Sequence, residues 1–65
     1  MRFNLIKLRK KLKLSQEEMS SKLETSRPHY SKIELGKVDP SIEFAYKIQE
    51  VFGVDDVLEL LKKEQ

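Results

Sequence analysis

The chain lacks several residue types on which common kinds of functional site depend. Its 65 residues include no cysteine, no tryptophan and a single histidine, His29. Without cysteine, disulfides and thiolate metal sites are excluded. One histidine cannot build a zinc site without further ligands. We therefore expect no metal and no other cofactor.

The usual elements of a catalytic site are missing as well. Acidic residues are numerous, but they are spread along the chain and do not cluster. The sequence shows no nucleophile–base pair and no glycine-rich phosphate loop, since it has only two glycines. We therefore do not expect an enzyme, a small-molecule substrate or a cofactor.

Long apolar stretches are also missing. A membrane-spanning helix needs roughly 20 mostly apolar residues, whereas 37% of this chain is charged. The first residues, Met1–Arg2–Phe3, do not begin the long apolar segment of an export signal. These features predict a cytoplasmic protein with no membrane contact. Its length predicts one domain over residues 1–65, near the lower size limit for a core without disulfides or metals.

Charge is distributed unevenly between the two halves of the chain. Residues 1–32 carry nine Lys or Arg and three acids, a net charge of +6, whereas residues 33–65 carry four bases and eight acids, a net charge of −4. Such a chain could turn one end toward phosphates and the other away from them. An uneven solvated surface would have the same composition, so charge alone does not assign a partner.

The spacing of apolar residues predicts an all-α fold with five short helices. Leu5, Leu8 and Leu12 recur at intervals of three and four, which indicates a helix from about 3 to 12. A second helix is expected from Gln16 to about 23, with its apolar residues Met19 and Leu23 buried. Ser15, followed three positions later by Glu18, forms a capping box at its start.

The third helix is expected over 27–35. Ser26 is a suitable N-terminal cap, and proline is tolerated in the first turn, where amides have no partner within the helix. Tyr30 and Ile33 would face the core, with the Tyr30 hydroxyl reaching the surface. Gly36 should end the helix because glycine adopts positive φ at low cost.

Two more helices complete the predicted fold. Asp39–Pro40–Ser41 should begin the fourth, and Gly53 should close it. The fifth should start at Asp55 or Asp56. The apolar residues expected at helical spacing are Ile42, Ala45, Ile48 and Phe52 in the fourth helix and Val57, Leu58 and Leu61 in the fifth.

The segment 15–35 is the most informative part of the sequence. Two short helices joined by about three residues must cross steeply, so that the second helix projects from the surface. This second helix carries Arg27 at its start and Lys32 five residues later. A projecting helix with cationic side chains fits the major groove of duplex DNA. The pattern therefore predicts a DNA-binding helix-turn-helix.

The sequence resembles the Cro-type, lambda-repressor-like helix-turn-helix family from Leu5 to about Leu61. The resemblance rests on four short motifs in register: Leu8–Arg9, Leu14–Ser15–Gln16, Ile33–Glu34–x–Gly36–Lys37 and Pro40–Ser41. It implies a compact five-helix DNA-binding domain. At three positions the sequence departs from the family pattern: Ser20 stands for the usual alanine, Glu24 for glycine in the turn, and Leu35 for asparagine.

The resemblance also implies structural and phosphate-contacting roles. Arg9 and Glu34 match a partly buried ion pair that joins the first and third helices. Gln16 lies at the start of the second helix, where free amides attract a phosphate that its side chain could also contact. The other candidate phosphate contacts are Ser15, which is also a helix cap, Ser31 and Lys37.

The candidate base-contacting residues are Arg27, Pro28, His29 and Lys32. Arg27 and Lys32 can reach the O6 and N7 atoms of guanine, and the Pro28 ring can pack on a thymine methyl group. His29 could contact a base or simply face solvent. Similarly, the basic run Arg9–Lys10–Lys11–Lys13 either flanks the DNA backbone or is a solvated face.

These observations together predict a bacterial or phage transcriptional regulator, most simply a repressor that occupies its operator. A single helix reads too few base pairs for a unique site, so a homodimer on palindromic double-stranded DNA is expected. The acidic half would supply the dimer surface, with the last helix as its main part. The alternative is a protein-interaction module, such as an antitoxin or antirepressor, that uses the same fold.

Overall fold

Short helices connected by tight turns make up the fold. The computed structural model describes residues 1–64. Within them, α1 (Phe3–Lys11), α2 (Gln16–Lys22), α3 (Arg27–Leu35), α4 (Ile42–Phe52) and α5 (Val57–Leu60) follow one another in the chain. The predicted all-α, five-helix architecture is confirmed for this part of the chain. The bounds of α3 match the sequence prediction, and α1 and α2 each end about one residue earlier than predicted.

Capping side chains explain where the helices begin. The Ser15 hydroxyl accepts from the backbone N–H of Glu18, whose Oε1 accepts from the N–H of Ser15 at 2.8 Å, so the predicted capping box is present. The side chains of Ser26, Ser41 and Asp56 cap α3, α4 and α5, each by accepting from the backbone N–H three residues further on.

Two glycines end helices, as the sequence predicts. Gly36 follows α3 with φ 80°, and Gly53 follows α4 with φ 65°. Both are left-handed conformations that strain other residues. Gly36 also has little space, because an added Cβ would lie 2.9 Å from Cδ of Lys63.

The core lies where the five helices meet. Its largest fully buried side chains are Tyr30, Leu5, Met19, Ile33 and Ile48. The rings of Tyr30 and Phe44 lie 6.5 Å apart at a tilt of 32°, which joins α3 to α4. The core is completed by Leu23, Phe44 and Leu60.

Two apolar residues point away from the core, contrary to the sequence prediction. Ile42 is 72% exposed and Leu58 is 82% exposed. In α4 the inward side is set by Phe44 and Ile48, and Ile42 lies about 100° or more from them around the helix. In α5 Leu60 is buried instead of Leu58. The short helix leaves the two leucines on different faces.

The turn between α2 and α3 takes its shape from a strained residue. Glu24 has φ 57°, so the position at which the family prefers glycine is left-handed here too. The Nζ of Lys47 in α4 donates to Oε2 of Glu24 at 2.9 Å. Ser20, in the place of the usual alanine, is buried against the neighbouring helix. The turn thus keeps the family geometry with different side chains.

None of the helices within residues 1–64 has the length and apolar character needed to cross a membrane.

Candidate nucleic-acid interface

The outward side of α3 carries the predicted base-contacting residues. Arg27, Pro28, His29 and Lys32 are all exposed, whereas Tyr30, Ile33 and Glu34 are buried on the opposite side. Ser31 is half-buried. The helix therefore presents its cations to solvent and its apolar residues to the core.

The exposed residues do not all lie along one line of the helix. Pro28, Lys32 and Leu35 follow one another at intervals of four and three residues, so they form the centre of the outward face. Arg27 lies on one flank of this line and His29 on the other. Leu35 is 43% exposed. A helix entering a groove along this line would therefore present one cation and two apolar side chains first.

His29 faces a shallow cavity instead of the centre of α3. The cavity has a volume of about 370 Å³. It lies between the turn after α2 and the start of α4, and its lining includes Leu23, Glu24, Thr25, Ser41, Glu43, Phe44 and Lys47. Two carboxylates therefore line the cavity beside the imidazole. Of the four residues predicted to contact bases, His29 has the surroundings least suited to DNA.

Glu34 is the centre of a buried hydrogen-bond network beneath α3. Its Oε2 accepts from Nε of Arg9 at 2.7 Å and from the hydroxyl of Tyr30 at 2.5 Å. Its Oε1 accepts from Nε2 of Gln16 at 2.9 Å. Arg9 also donates to the backbone oxygen of Leu14 at 3.0 Å. A single carboxylate thus connects α1, α2 and α3.

The position of the Tyr30 hydroxyl corrects the sequence prediction. This hydroxyl was expected to reach the surface, but Tyr30 is fully buried and its O–H donates to Glu34. Burial raises the pKa of the Tyr30 phenol, and the hydrogen bond to Glu34 raises it further. In the same network, the hydrogen bond to Glu34 raises the pKa of the Arg9 guanidinium. The hydroxyl therefore remains a donor wherever the protein is folded.

The predicted phosphate contacts lie at both ends of the helix-turn-helix. The Gln16 side chain is half-buried and uses one of its two amide hydrogens on Glu34, which leaves one donor. Ser15 is exposed, and its oxygen caps α2. Lys37 is exposed just beyond α3, where its backbone N–H donates to the oxygen of Lys32 at 3.0 Å.

Arg2 has a structural role that the sequence analysis missed. Its side chain is buried, and its guanidinium donates to the carbonyl oxygens of Ile33 at 2.7 Å, Val38 at 3.0 Å and Leu61 at 2.9 Å. It also pairs with Asp39 at 2.9 Å. Three of these four acceptors are backbone carbonyls remote in sequence, so no local pattern could have revealed them. Arg2 fixes the carboxyl end of α3 against the end of α5.

Among the described residues, no group of three or more His, Cys, Asp or Glu side chains could hold a metal ion. The geometry offers instead a helix with exposed cations on its outer side and a hydrogen-bond network, centred on Glu34, on its inner side. Chemically, this arrangement can bind an anionic polymer in a fixed orientation.

Comparison with known proteins identifies the family. The family model described as helix-turn-helix matches residues 5–57. The chain belongs to this family, of the Cro or lambda-repressor-like type, as the sequence motifs predict. The family is not an enzymatic one. The match runs from within α1 to the first residue of α5, and it includes all the candidate base and phosphate contacts.

One curated relative also matches. It is an uncharacterized HTH-type transcriptional regulator of the archaeon Methanocaldococcus jannaschii, 49% identical over 41 residues, which are 63% of this chain and 62% of the relative. The match thus spans about three fifths of the relative's length. No solved structure matches the chain significantly.

Proposed function

We propose that the protein binds duplex DNA in a sequence-specific way and regulates transcription. The observation that carries this proposal is the outward side of α3, where Arg27 and Lys32 are exposed and neither forms an ion pair with another described residue. Their donors are available for the O6 and N7 atoms of guanine. Membership of the helix-turn-helix family supports the proposal.

The dimensions of α3 suit this role. A helix with its side chains is about 10–12 Å in diameter, which fits the major groove of about 12 Å width, and the nine residues of α3 give it a length of about 13 Å. With α3 in the groove, Pro28 would pack on a thymine methyl group. Phosphates on either side would be contacted by Gln16 and Lys37, with Ser15 and Ser31 as further donors. We place His29 at the edge of the DNA contact, because it faces the cavity beside Glu43.

The regulator would act as a repressor by occupying its operator, so that polymerase is excluded from the site. The matched archaeal relative is described as a transcriptional regulator, and its description does not say whether it represses or activates. A bacterial or phage origin stays a prediction, since this relative is archaeal.

We further propose that two copies bind a palindromic operator as a symmetric homodimer. Leu58 would supply apolar contact at the dimer surface, because its side chain is 82% exposed. It lies in the acidic half of the chain, which phosphates would repel. Two α3 helices would then enter successive major grooves about 34 Å apart.

Selection from a pool of random duplexes tests the function. The protein is incubated with the pool, and the bound fraction is sequenced over several rounds. We expect enrichment of one motif with two inverted half-sites whose centres lie about one helical turn apart. Arg27→Ala combined with Lys32→Ala is the matched control, since both side chains are exposed and their removal should leave the fold intact. Enrichment that is equal for the double variant, or no enrichment for the wild type, would contradict the proposal.

Analytical ultracentrifugation on the selected duplex tests the dimer. We expect saturation at two protomers per duplex for the wild type. Leu58→Ser should bind more weakly and less cooperatively while its melting temperature stays close to that of the wild type. Tyr46→Ser is a control at another exposed apolar position, 66% exposed in α4. Saturation at one protomer counts against the dimer.

Exposed apolar residues favour a protein-interaction module as the second candidate. Leu35 replaces a polar residue at the centre of the α3 face, and Ile42 lies exposed at the start of α4. Apolar groups at these positions suit a protein partner better than a phosphate backbone. An antitoxin or antirepressor of this kind would show no motif in the selection experiment.

A further inference from the structure

We infer that Tyr30 is a positioning residue for DNA contact, acting through Glu34 on the side-chain amide of Gln16. The inference rests on the proposed function, and it adds a residue that touches neither base nor phosphate. Tyr30 is fully buried, so it can affect DNA only through its neighbours.

The three side chains form a continuous path from the core to the surface. The Tyr30 hydroxyl donates to Oε2 of Glu34 at 2.5 Å, and Arg9 donates to the same oxygen at 2.7 Å. With Oε2 holding two donors, the carboxylate is fixed in rotation and its Oε1 is directed to Gln16. Nε2 of Gln16 donates to this second oxygen at 2.9 Å.

Fixing Gln16 matters because its side chain is long. A free glutamine side chain has several rotamers, and holding one of them costs conformational entropy. In this structure the rotamer is already selected before any ligand arrives. One amide hydrogen binds Glu34, and the other remains on the side away from that bond. The remaining hydrogen is therefore preorganised for a phosphate oxygen.

The hydroxyl of Tyr30 has no evident purpose in packing alone. Its ring fills the core beside Phe44, a role that phenylalanine would serve equally well. A phenol buried among apolar groups loses its hydration and needs an acceptor. Glu34 supplies that acceptor, and in return its carboxylate gains a third donor. The hydroxyl of Tyr30 thus helps to orient the Glu34 carboxylate, and its ring supplies apolar contact in the core.

The test is a double-mutant cycle on the affinity for the selected duplex. Tyr30→Phe keeps the ring and removes only the hydroxyl. We expect it to weaken binding roughly threefold to tenfold, as for one hydrogen bond, without changing the ranking of sequence variants. In a Gln16→Ala background, the same substitution should change affinity by less than about twofold, because the affected contact is already absent.

The salt dependence of binding separates this effect from a loss of charge. Gln16 carries no charge, so Tyr30→Phe and Gln16→Ala should lower affinity at every salt concentration with the slope of log K against log salt unchanged. Lys37→Ala, the matched comparison at a charged position, should reduce the slope by about one.

Three results decide the matter, provided that thermal melting shows each variant folded. An effect of Tyr30→Phe that depends on Gln16 supports the inference. An equal effect in both backgrounds, or no effect, overturns it while leaving the proposed function intact. Failure of the wild type to bind any duplex overturns the proposed function itself.

Side-chain amide signals of Gln16 in NMR give a separate readout without DNA. These signals should shift in Tyr30→Phe, and unchanged signals count against positioning.

Discussion

Arg2 donates from its guanidinium to the carbonyl oxygen of Ile33 at 2.7 Å, across 31 positions of the chain. Ile33 lies in the last turn of α3, where its carbonyl oxygen also accepts from the N–H of Gly36 at 3.1 Å. A cation at this end also complements the helix dipole. The bond places the buried charge of Arg2 against the carboxyl end of the proposed recognition helix.

Arg2→Ala should therefore destabilise the fold. Its removal would take the guanidinium donor from three buried or partly buried carbonyl oxygens, and we expect a loss of about 2–4 kcal/mol in the free energy of unfolding. Urea denaturation followed by circular dichroism measures this loss. Asp39→Asn is the control, because its carboxylate is 83% exposed and the pair should contribute less than about 1 kcal/mol. A change in Arg2→Ala no larger than in Asp39→Asn would show that the guanidinium is dispensable.

Loss of Arg9 should be costly for a related reason. The side chain of Glu34 is only 3% exposed and would lose its charged partner in Arg9→Ala. We expect about 3–5 kcal/mol of destabilisation, enough to unfold much of so small a protein. Lys10→Ala, on the exposed side of the same helix, should stay within about 0.5 kcal/mol of the wild type. Equal melting temperatures for the two variants would contradict a structural ion pair.

The raised pKa of Tyr30 predicts alkaline unfolding. A phenol whose pKa is higher in the folded than in the unfolded chain contributes stability fully below the unfolded value, near pH 10. That stability is lost as the pH rises above about 10, since only unfolding allows the proton to leave easily. In a Tyr46→Phe background, phenolate absorbance should therefore appear together with loss of helix. Further replacing Tyr30 by Phe should flatten the decline. Phenolate formation at an unchanged helix signal would refute the burial of the hydroxyl.

Sequence alone predicted much of the backbone, and the reason lies in local signals. Ser26 and Gly36 bound α3 at the predicted residues because capping and positive φ are decided within one turn. The predicted inward face of α5 was wrong at Leu58, since four residues make barely one turn and cannot define a face. The role of Arg2 was missed because its acceptors are mostly backbone oxygens far along the chain.

The candidate interface was predictable to a similar extent. Exposure of Arg27 and Lys32 follows from helical spacing around Tyr30 and Ile33. The orientation of His29 toward the cavity depends on the packing of α4, which no spacing rule supplies. The same holds for the bond between Gln16 and Glu34, which joins residues on two helices.

Base-contacting and phosphate-contacting residues should differ in their effects on specificity. Arg27→Ala and Lys32→Ala should alter the ranking of operator variants, with roughly 1–3 kcal/mol of discrimination lost at the affected base pair. Gln16→Ala should weaken binding to all sequences alike. Competition binding against a panel of single-base variants measures both. Lys62→Ala, exposed beyond α5, is the control and should change neither. An unchanged ranking in Arg27→Ala would place that residue outside the groove.

The central claim is that this surface binds the phosphate backbone of duplex DNA, and the salt dependence of affinity tests it most directly. With about four phosphates neutralised by lysine and arginine side chains of each protomer, log K should fall against log salt with a slope near −3 to −4 per protomer. The measurement is a titration of the selected duplex at several salt concentrations, with fluorescence anisotropy as the signal. A slope in this range supports the account, and an affinity that does not change with salt contradicts it.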